Sequence, residues 1–352
     1  MKINIRRHIT VNNILAAISG IIFAITFFSK WLGIFGWICF VPLLYSLKDK
    51  NPAESFKLGM ITGAFTNFIS LYWLVGTLSR FGGFPLPVSI IIIGLFCIYS
   101  ALQFGIFTYL VSRLKLNNKN SLKNAVLISA IWISAEYFFP VLFPYGIGNS
   151  QAFYLPVIQI VDLFGVKLLS FLIVFINAVV LYLILFFKGD IKFPKFELLS
   201  AVLIFIFIFI YGLTRIDNIE RIAFNSKKIK VGIVQANFDY FEKNTDNEFF
   251  ITERHQNMSK NIENADLIVW PETAVQHWFP LYLKIYRVQE ERNVAPGMKD
   301  TYFLMGGLSF IPNEVWDGGI LETEYTKFNT AFLTNSDSLI LGSYNKVKLL
   351  LF

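Results

Sequence analysis

Two short segments near the C-terminal end hold the residues with the clearest capacity for chemistry. Glu272 and the preceding Pro271 follow the apolar run 266–270. Pro271 fixes its own φ and favours an extended conformation at Trp270, so the sequence predicts a carboxylate held on a rigid support where the chain leaves a strand. Such a carboxylate acts as a general base near neutral pH when apolar walls surround it. The alternative is that Pro271 and Glu272 begin a helix.

Lys346 belongs to the second segment, Tyr344-Asn345-Lys346, which follows the apolar run 338–344. An ammonium group at the end of a strand can stabilise an oxyanion. A solvated surface lysine is the alternative. In α/β folds, ligands bind at the edge where the chain leaves the sheet, which is where Glu272 is expected.

The elements that position these residues follow from the apolar pattern. We predict five strands and one amphipathic helix, which together indicate an α/β layered domain. The strands are expected at 228–235, 266–270, 301–310, 327–334 and 338–344, with the helix at 246–264. Segment 275–300 is apolar yet loop-like. It is expected either to form a lid that dips into the outer leaflet or to pack against the helical bundle predicted for the first part of the chain.

The composition places this domain on a membrane protein. Of the 352 residues, 55% are apolar and 16% are charged, against about 25% charged in soluble domains. Two cysteines exclude a disulfide-stapled scaffold. Residues 1–212 carry 22 of the 55 charged residues with net charge +10, whereas residues 213–352 carry net charge −3. The net charge of +7 therefore does not indicate binding to nucleic acid. The three histidines are scattered along the sequence, so we predict no metal site and no cofactor.

The first part predicts a bundle of about seven transmembrane helices over residues 1–214, a linker at 215–227 and the α/β domain at 228–352. The spans are expected at 11–29, 31–47, 58–79, 86–112, 122–139, 166–187 and 197–214, and the Pro/Gly-rich run 137–161 is expected to be a loop over one face. Thirteen Lys/Arg residues lie on one side of these spans and three on the other, which predicts a cytoplasmic N-terminus and an α/β domain on the outer side. Glu136 and Asp162, near the outer side, are either functional carboxylates or hydrogen-bonded helix-end residues.

Together these features resemble known proteins. Trp270-Pro271-Glu272, Phe328-Asn329-Thr330 and Tyr344-Asn345-Lys346 look like the nitrilase superfamily. A nitrilase-like domain after a multi-span bundle resembles the apolipoprotein N-acyltransferase family of the bacterial inner membrane. Residues of the first part follow the order of that family's spans and loops: Trp73, Phe81-Gly82-Gly83, Glu136, Phe143-Pro144, Gly148, Gln151, Pro156, Gly165 and Ser170-Phe171.

The resemblance implies both a fold and a reaction. The fold is an incomplete α-β-β-α sandwich after the bundle, on the periplasmic side. The reaction moves an acyl chain from a phospholipid to a cysteine thioester, and then to the amine of the diacylglyceryl-cysteine of an apolipoprotein. Glu272 would be the general base and Lys346 the oxyanion stabiliser, and Trp73, Lys243 and Asn329 would contact substrate. The family tends to carry Lys-Trp where this sequence has Lys243-Asn244.

The sequence departs from the family at its C-terminal end. No cysteine follows Cys97, and both Cys97 and Cys39 lie in apolar runs, where we expect inert packing residues. The family has a proline where Leu351 stands, and its cysteine comes later. We therefore expect a fragment of a longer chain or a truncated gene product, and no acyl transfer by these 352 residues alone. The alternative functions are a membrane-tethered nitrilase-type amidase and a non-enzymatic multi-span transporter or scaffold.

Overall fold

The structure is a computed structural model, and the chain divides into two compact units, Met1–Asn225 and Ser226–Phe352. It describes residues 10–116, 120–143, 145–238, 242, 248–289, 292–317 and 320–347.

The first unit is helical in its described part. Its α-helices are α1 (Val11–Ile25), α2 (Val41–Ser46), α3 (Pro52–Ser70), α4 (Trp73–Phe81), α5 (Leu86–Arg113), α6 (Leu122–Phe138), α7 (Leu155–Ile158), α8 (Val161–Phe187) and α9 (Lys195–Asn225). Two 3₁₀ helices cover Leu32–Trp37 and Ile147–Gln151.

Every run predicted to cross the membrane carries helix, but not every helix is long enough to cross. Among the described residues, α5, α8 and α9 are long and apolar enough, and α3 with α4 makes a fourth candidate that bends by 56°. The segments Val11–Ile25 and Leu32–Ser46 are apolar but shorter. The described residues thus contain three or four candidate membrane spans, and the count of seven stays a prediction. Helix α9 also continues to Asn225, through most of the segment predicted to be a linker.

The second predicted span is broken between its 3₁₀ helix and α2. The buried Asn177 of α8 fills this break: its Nδ2 donates to the carbonyl of Gly36 (2.9 Å), and its Oδ1 accepts from the amide of Phe40 (2.7 Å). The Ser19 hydroxyl donates to the carbonyl of Cys39. Irregular backbone is tolerated at membrane depth only where protein or water satisfies its polar groups, and here side chains of other helices do so.

The run 137–161 is not a loop over one face, because part of it packs inside the helical unit. Ile147, Gly148, Ser150 and Gln151 are buried. The Gln151 side chain donates to the carbonyl of Gly33 (2.6 Å) and accepts from the Trp37 indole (3.0 Å). The prediction failed because prolines and glycines indicate irregular backbone but do not reveal whether other chain segments supply its hydrogen bonds.

The second unit is a mixed α/β domain, as predicted. Its elements are β1 (Val231–Ile233), α10 (Glu248–Lys260), β2 (Leu267–Val269), β3 (Val275–Pro280), β4 (Arg287–Gln289), β5 (Arg292–Asn293), β6 (Tyr302–Asp317), β7 (Ile320–Thr334) and β8 (Ile340–Asn345). The main sheet has the order β1-β2-β6-β7-β8, and β3 also pairs with β6. Strands β1, β2, β3 and β6 run parallel, β7 and β8 pair antiparallel to their neighbours, and β4 and β5 form a separate pair. The segment 275–300, predicted to be loop-like, instead contains three strands.

The two faces of the main sheet differ in burial. Ile268, Phe303, Met305 and Phe332 are buried on one face, within the core that also contains Trp270 and Tyr286. Residues whose side chains point to the opposite face are more exposed to solvent, such as Val231, Ile233 and Tyr302. Side chains of a strand alternate between faces, so the sheet buries one face and leaves the other available for a site.

Candidate active site

Glu272 lies directly after β2, in a turn that leads into β3. Trp270 anchors this turn: its backbone amide donates to the carbonyl of Leu304 (2.9 Å), and its buried indole donates to the Ser259 hydroxyl of α10 (2.8 Å). Thr273 adopts φ 55°, which turns the chain towards β3. Glu272 is therefore presented from a strand end, as predicted, and the alternative of a helix start is wrong.

Gly306 of β6 allows this turn to lie against the sheet. A Cβ at Gly306 would lie 2.5 Å from the carbonyl oxygen of Pro271 and 2.7 Å from the Cα of Glu272. Only a residue without a side chain permits so close an approach of two backbones. The glycine thus sets the position of Glu272 relative to β6.

The structure brings three of the predicted residues together. Oε1 of Glu272 accepts hydrogen bonds from Nζ of Lys346 (2.9 Å) and from Nδ2 of Asn329 (2.5 Å). Lys346 and Asn329 are 74 and 57 residues from Glu272 in sequence. We call these three residues the Glu272 cluster.

Strands β7 and β8 hold Asn329 and Lys346 side by side. The amide of Lys346 donates to the carbonyl of Asn329 (2.8 Å). In the next pair, the Thr330 hydroxyl donates to Oδ1 of Asn345 (2.8 Å) and also bonds the Ser309 hydroxyl (2.6 Å). The pairing of β7 with β8 therefore fixes the positions of Asn329 and Lys346 independently of their contacts with Glu272.

The ion pair of the Glu272 cluster is exposed and contributes little to stability. The side chains of Glu272 and Lys346 are 60% and 37% exposed. An ion pair exposed to this degree contributes about 0–1 kcal/mol to stability. Chemically, a carboxylate can accept a proton and an ammonium group beside it can stabilise an oxyanion.

Asn329 has a contact that sequence reasoning missed. We expected it to bind substrate, and the structure places its amide on the Glu272 carboxylate. Trp73, the first residue of α4, is half-exposed and lies 6.2 Å from Phe143, measured between ring centroids. It belongs to the helical unit. Lys243 and Pro144 lie outside the described residues.

Glu136 and Asp162 are both hydrogen-bonded. The buried Glu136 carboxylate accepts from the Trp132 indole (2.8 Å) and the Ile147 amide (2.9 Å), and pairs with Lys167 (3.1 Å). Asp162 pairs with Nε of Arg215 at 2.8 Å. These contacts fit the structural alternative and give Glu136 the task of holding the 3₁₀ helix Ile147–Gln151 in the helical unit.

Comparison with known proteins agrees with these features. Residues 19–179 match the family model of the apolipoprotein N-acyltransferase N-terminal domain. The chain is thus similar to apolipoprotein N-acyltransferases in both comparisons. The resemblance found in the sequence is confirmed.

Relatives within the apolipoprotein N-acyltransferases cover most of the chain. The apolipoprotein N-acyltransferase of Geobacter metallireducens is 28% identical over 353 residues, which is 96% of this chain and 64% of the relative. Apolipoprotein N-acyltransferase 1 of Treponema denticola is 28% identical, over 91% of this chain and 59% of the relative. The Haemophilus influenzae enzyme of the same name is 29% identical, over 74% and 50%. The chain therefore spans about half to two thirds of the length of these relatives.

Proposed function

We propose that the protein takes part in transfer of an acyl chain from a phospholipid to the α-amino group of a diacylglyceryl-cysteine, at the N-terminus of an apolipoprotein. The observation that carries this proposal is the Glu272 cluster. A carboxylate there shares one oxygen between an ammonium group and an amide at hydrogen-bond distance. The similarity to apolipoprotein N-acyltransferases suggests the reaction that such a cluster would catalyse.

The proposed mechanism has two half-reactions. Glu272 takes the proton of a thiol, which attacks the ester carbonyl of the phospholipid, and Lys346 stabilises the tetrahedral oxyanion. Glu272 gives this proton to the oxygen of the leaving lysophospholipid, and the acyl chain stays as a thioester. Glu272 then takes a proton from the acceptor amine, which attacks the thioester carbonyl, and passes that proton to the leaving sulfur, so that the free thiol is restored. Asn329 is a positioning residue, because its amide fixes the carboxylate oxygen that Lys346 also contacts.

The thiol is a separate requirement of this proposal. Cys39 and Cys97 are buried in the helical unit and do not fit the role. The nucleophile is therefore a thiol that is not among these two. The experiments below use the complete gene product, whose intact mass and C-terminal peptide are determined first.

We also propose a location for the reaction. The chain lies in the bacterial inner membrane with about seven spans, a cytoplasmic N-terminus and a nitrilase-like sheet unit on the periplasmic side. Support comes from the Lys/Arg distribution across the predicted spans and from the long apolar helices. This location suits a reaction in which both substrates are lipids.

The test is reconstituted acyl transfer. The gene product in nanodiscs receives a phospholipid with an alkyne-tagged acyl chain and a diacylglyceryl-cysteine lipopeptide, and the N-acylated lipopeptide is measured by mass spectrometry. We expect Lys346→Met to lower the rate at least about 100-fold. The exposed Lys299→Met, in the same unit, should leave it unchanged. Release of free fatty acid without lipopeptide acylation would overturn the proposal in favour of a hydrolase, and equal rates for the two variants would exclude the role of Lys346.

A further inference from the structure

An apolar groove with a cationic rim lies on the sheet unit. Trp278, Pro280, Leu283 and Ile285 line it, together with His277 and Phe279, and the charged lining residues are Lys284 and Arg287. Among these described residues none is acidic. The groove is thus amphipathic, with one sign of charge.

A third cation contacts the wall of this groove. Nζ of Lys327 lies 5.0 Å from the centroid of the Trp278 ring, within cation–π distance. Lys327 is in β7, paired with Phe310 of β6. Glu324, three residues earlier in β7, points to the other face of the strand because side chains alternate. Lys327 therefore adds positive charge beside the aromatic wall.

The sheet register places this groove next to the Glu272 cluster. Trp278 pairs with Leu308, and Leu308 pairs with Asn329, so the three residues form one row across β3, β6 and β7. Two strand spacings of about 4.8 Å each separate Trp278 from Asn329. Lys327 precedes Asn329 by two residues and shares its face. The Trp278 side of the groove and Asn329 therefore share one face of the sheet.

The chemistry of the groove selects its ligand. Trp278 is 43% exposed, and Leu283 and Ile285 are also exposed. Exposed apolar side chains grouped in a groove indicate a binding surface. Cations beside them favour a molecule that carries negative charge next to an apolar part. A zwitterionic or cationic amphiphile makes the apolar contacts without the full charge complementarity.

We propose that this groove binds the phosphate and the adjoining apolar part of an anionic phospholipid, with Lys327 at the phosphate. The proposal rests on the proposed function in that the lipid is the acyl donor. Trp278 packs against the apolar part, and the ester lies towards Glu272. Trp278 and Lys327 are then specificity residues for the donor, distinct from the catalytic pair.

The test measures binding without acyl transfer. A genetically encoded, environment-sensitive fluorescent amino acid replaces Leu283 in the full chain in phosphatidylcholine nanodiscs, so that no thiol is labelled. Dihexanoyl-phosphatidylglycerol, dihexanoyl-phosphatidylcholine and the diacylglyceryl-cysteine lipopeptide are titrated separately. We expect the phosphatidylglycerol to bind at least about tenfold more tightly. Lys327→Glu should abolish that preference, and Trp278→Ala should weaken binding of both lipids. The matched control Lys299→Glu should change neither.

Three outcomes would overturn the proposal. Equal binding of the two lipids would show an apolar groove without headgroup selection, and an unchanged preference in Lys327→Glu would remove the phosphate contact. A response only to the diacylglyceryl-cysteine lipopeptide would assign the groove to the acceptor. Because fluorescence needs no turnover, anionic-lipid binding with failed acyl transfer would refute the proposed function and leave the groove assignment standing. The reverse result would refute the groove assignment alone.

Discussion

Replacing Gly306 by alanine should both destabilise the sheet unit and displace Glu272. The new Cβ would lie 2.5 Å from the carbonyl oxygen of Pro271, 2.7 Å from Cα of Glu272 and 2.9 Å from the amide nitrogen of Thr273. All three are backbone atoms, so no side-chain rotation relieves the contact. Gly306 does not have a positive φ. The effect is therefore steric and does not come from backbone conformation.

The magnitude follows from overpacking. Inserting a methyl group into a close-packed contact costs about 1–3 kcal/mol, and a shift of about 1 Å at a catalytic group costs on the order of 100-fold in rate. Gly342 of β8 is the matched control. It is a strand glycine in the same sheet with nothing within 4 Å of its added Cβ. Gly342→Ala should be neutral or more stable by about 0.5 kcal/mol.

Pulse proteolysis of the full chain over a urea series measures both variants, with cleavage monitored in the sheet unit. We expect a lower urea midpoint for Gly306→Ala than for the wild type, and a midpoint at or above the wild-type value for Gly342→Ala. Equal midpoints for the two variants would refute the argument that Gly306 sets the backbone approach at Glu272.

Three further predictions concern buried polar groups. Asn177→Leu should destabilise the helical unit by about 2 kcal/mol, because the Phe40 amide loses the side chain that accepts its hydrogen bond. Glu136→Gln keeps the size of the side chain but removes the charge facing Lys167, and should lower stability by about 1–3 kcal/mol. Thermal unfolding in detergent measures both. Burial raises the pKa of the Tyr286 hydroxyl above its usual value near 10. The unfolded chain therefore loses this proton first as pH rises past about 10, and stability falls by up to about 1.4 kcal/mol per pH unit. Tyr286→Phe should remove that part of the alkaline slope, as measured by urea unfolding between pH 9 and 11.

Distinct results would contradict each of these. An unchanged melting temperature in Asn177→Leu would mean that the break in the second apolar run has another source of hydrogen bonds. Unchanged stability in Glu136→Gln would mean that the ion pair with Lys167 contributes nothing beyond neutral hydrogen bonds. An identical alkaline slope in Tyr286→Phe would assign the pH dependence to other groups.

The strand ends were predictable because charged residues interrupt apolar runs there. Glu272 and Lys346 each follow such a run, and the structure places both beyond strand ends. Their contact through Asn329 was not predictable, because it depends on the register of β6, β7 and β8, which pair residues far apart in sequence. Strand β3 was missed because its pairing with β6 shifts between Val275 and Trp278, which disrupts the alternation that identifies a strand.

In the helical unit, too, contacts between residues far apart in sequence were not predictable. Apolar runs located its helices, since length and hydropathy are local properties. The break in the second run was hidden because the residue that satisfies it, Asn177, comes more than a hundred residues later. The end of α9 was placed too early. Residues after 214 are more charged, yet they continue the helix with an ion pair between Asp217 and Arg221, one turn apart.

Single-turnover formation of the acyl-thioester tests the central claim most directly. The complete gene product is mixed with a phospholipid carrying an alkyne-tagged acyl chain, and the hydroxylamine-sensitive label on the protein is followed over time. The account predicts labelling of the wild type and a rate lower by at least about 100-fold in Glu272→Gln. Stability should change by less than about 1 kcal/mol, because the ion pair with Lys346 is exposed. Labelling at the same rate in a folded Glu272→Gln variant would contradict the assignment of Glu272 as the general base.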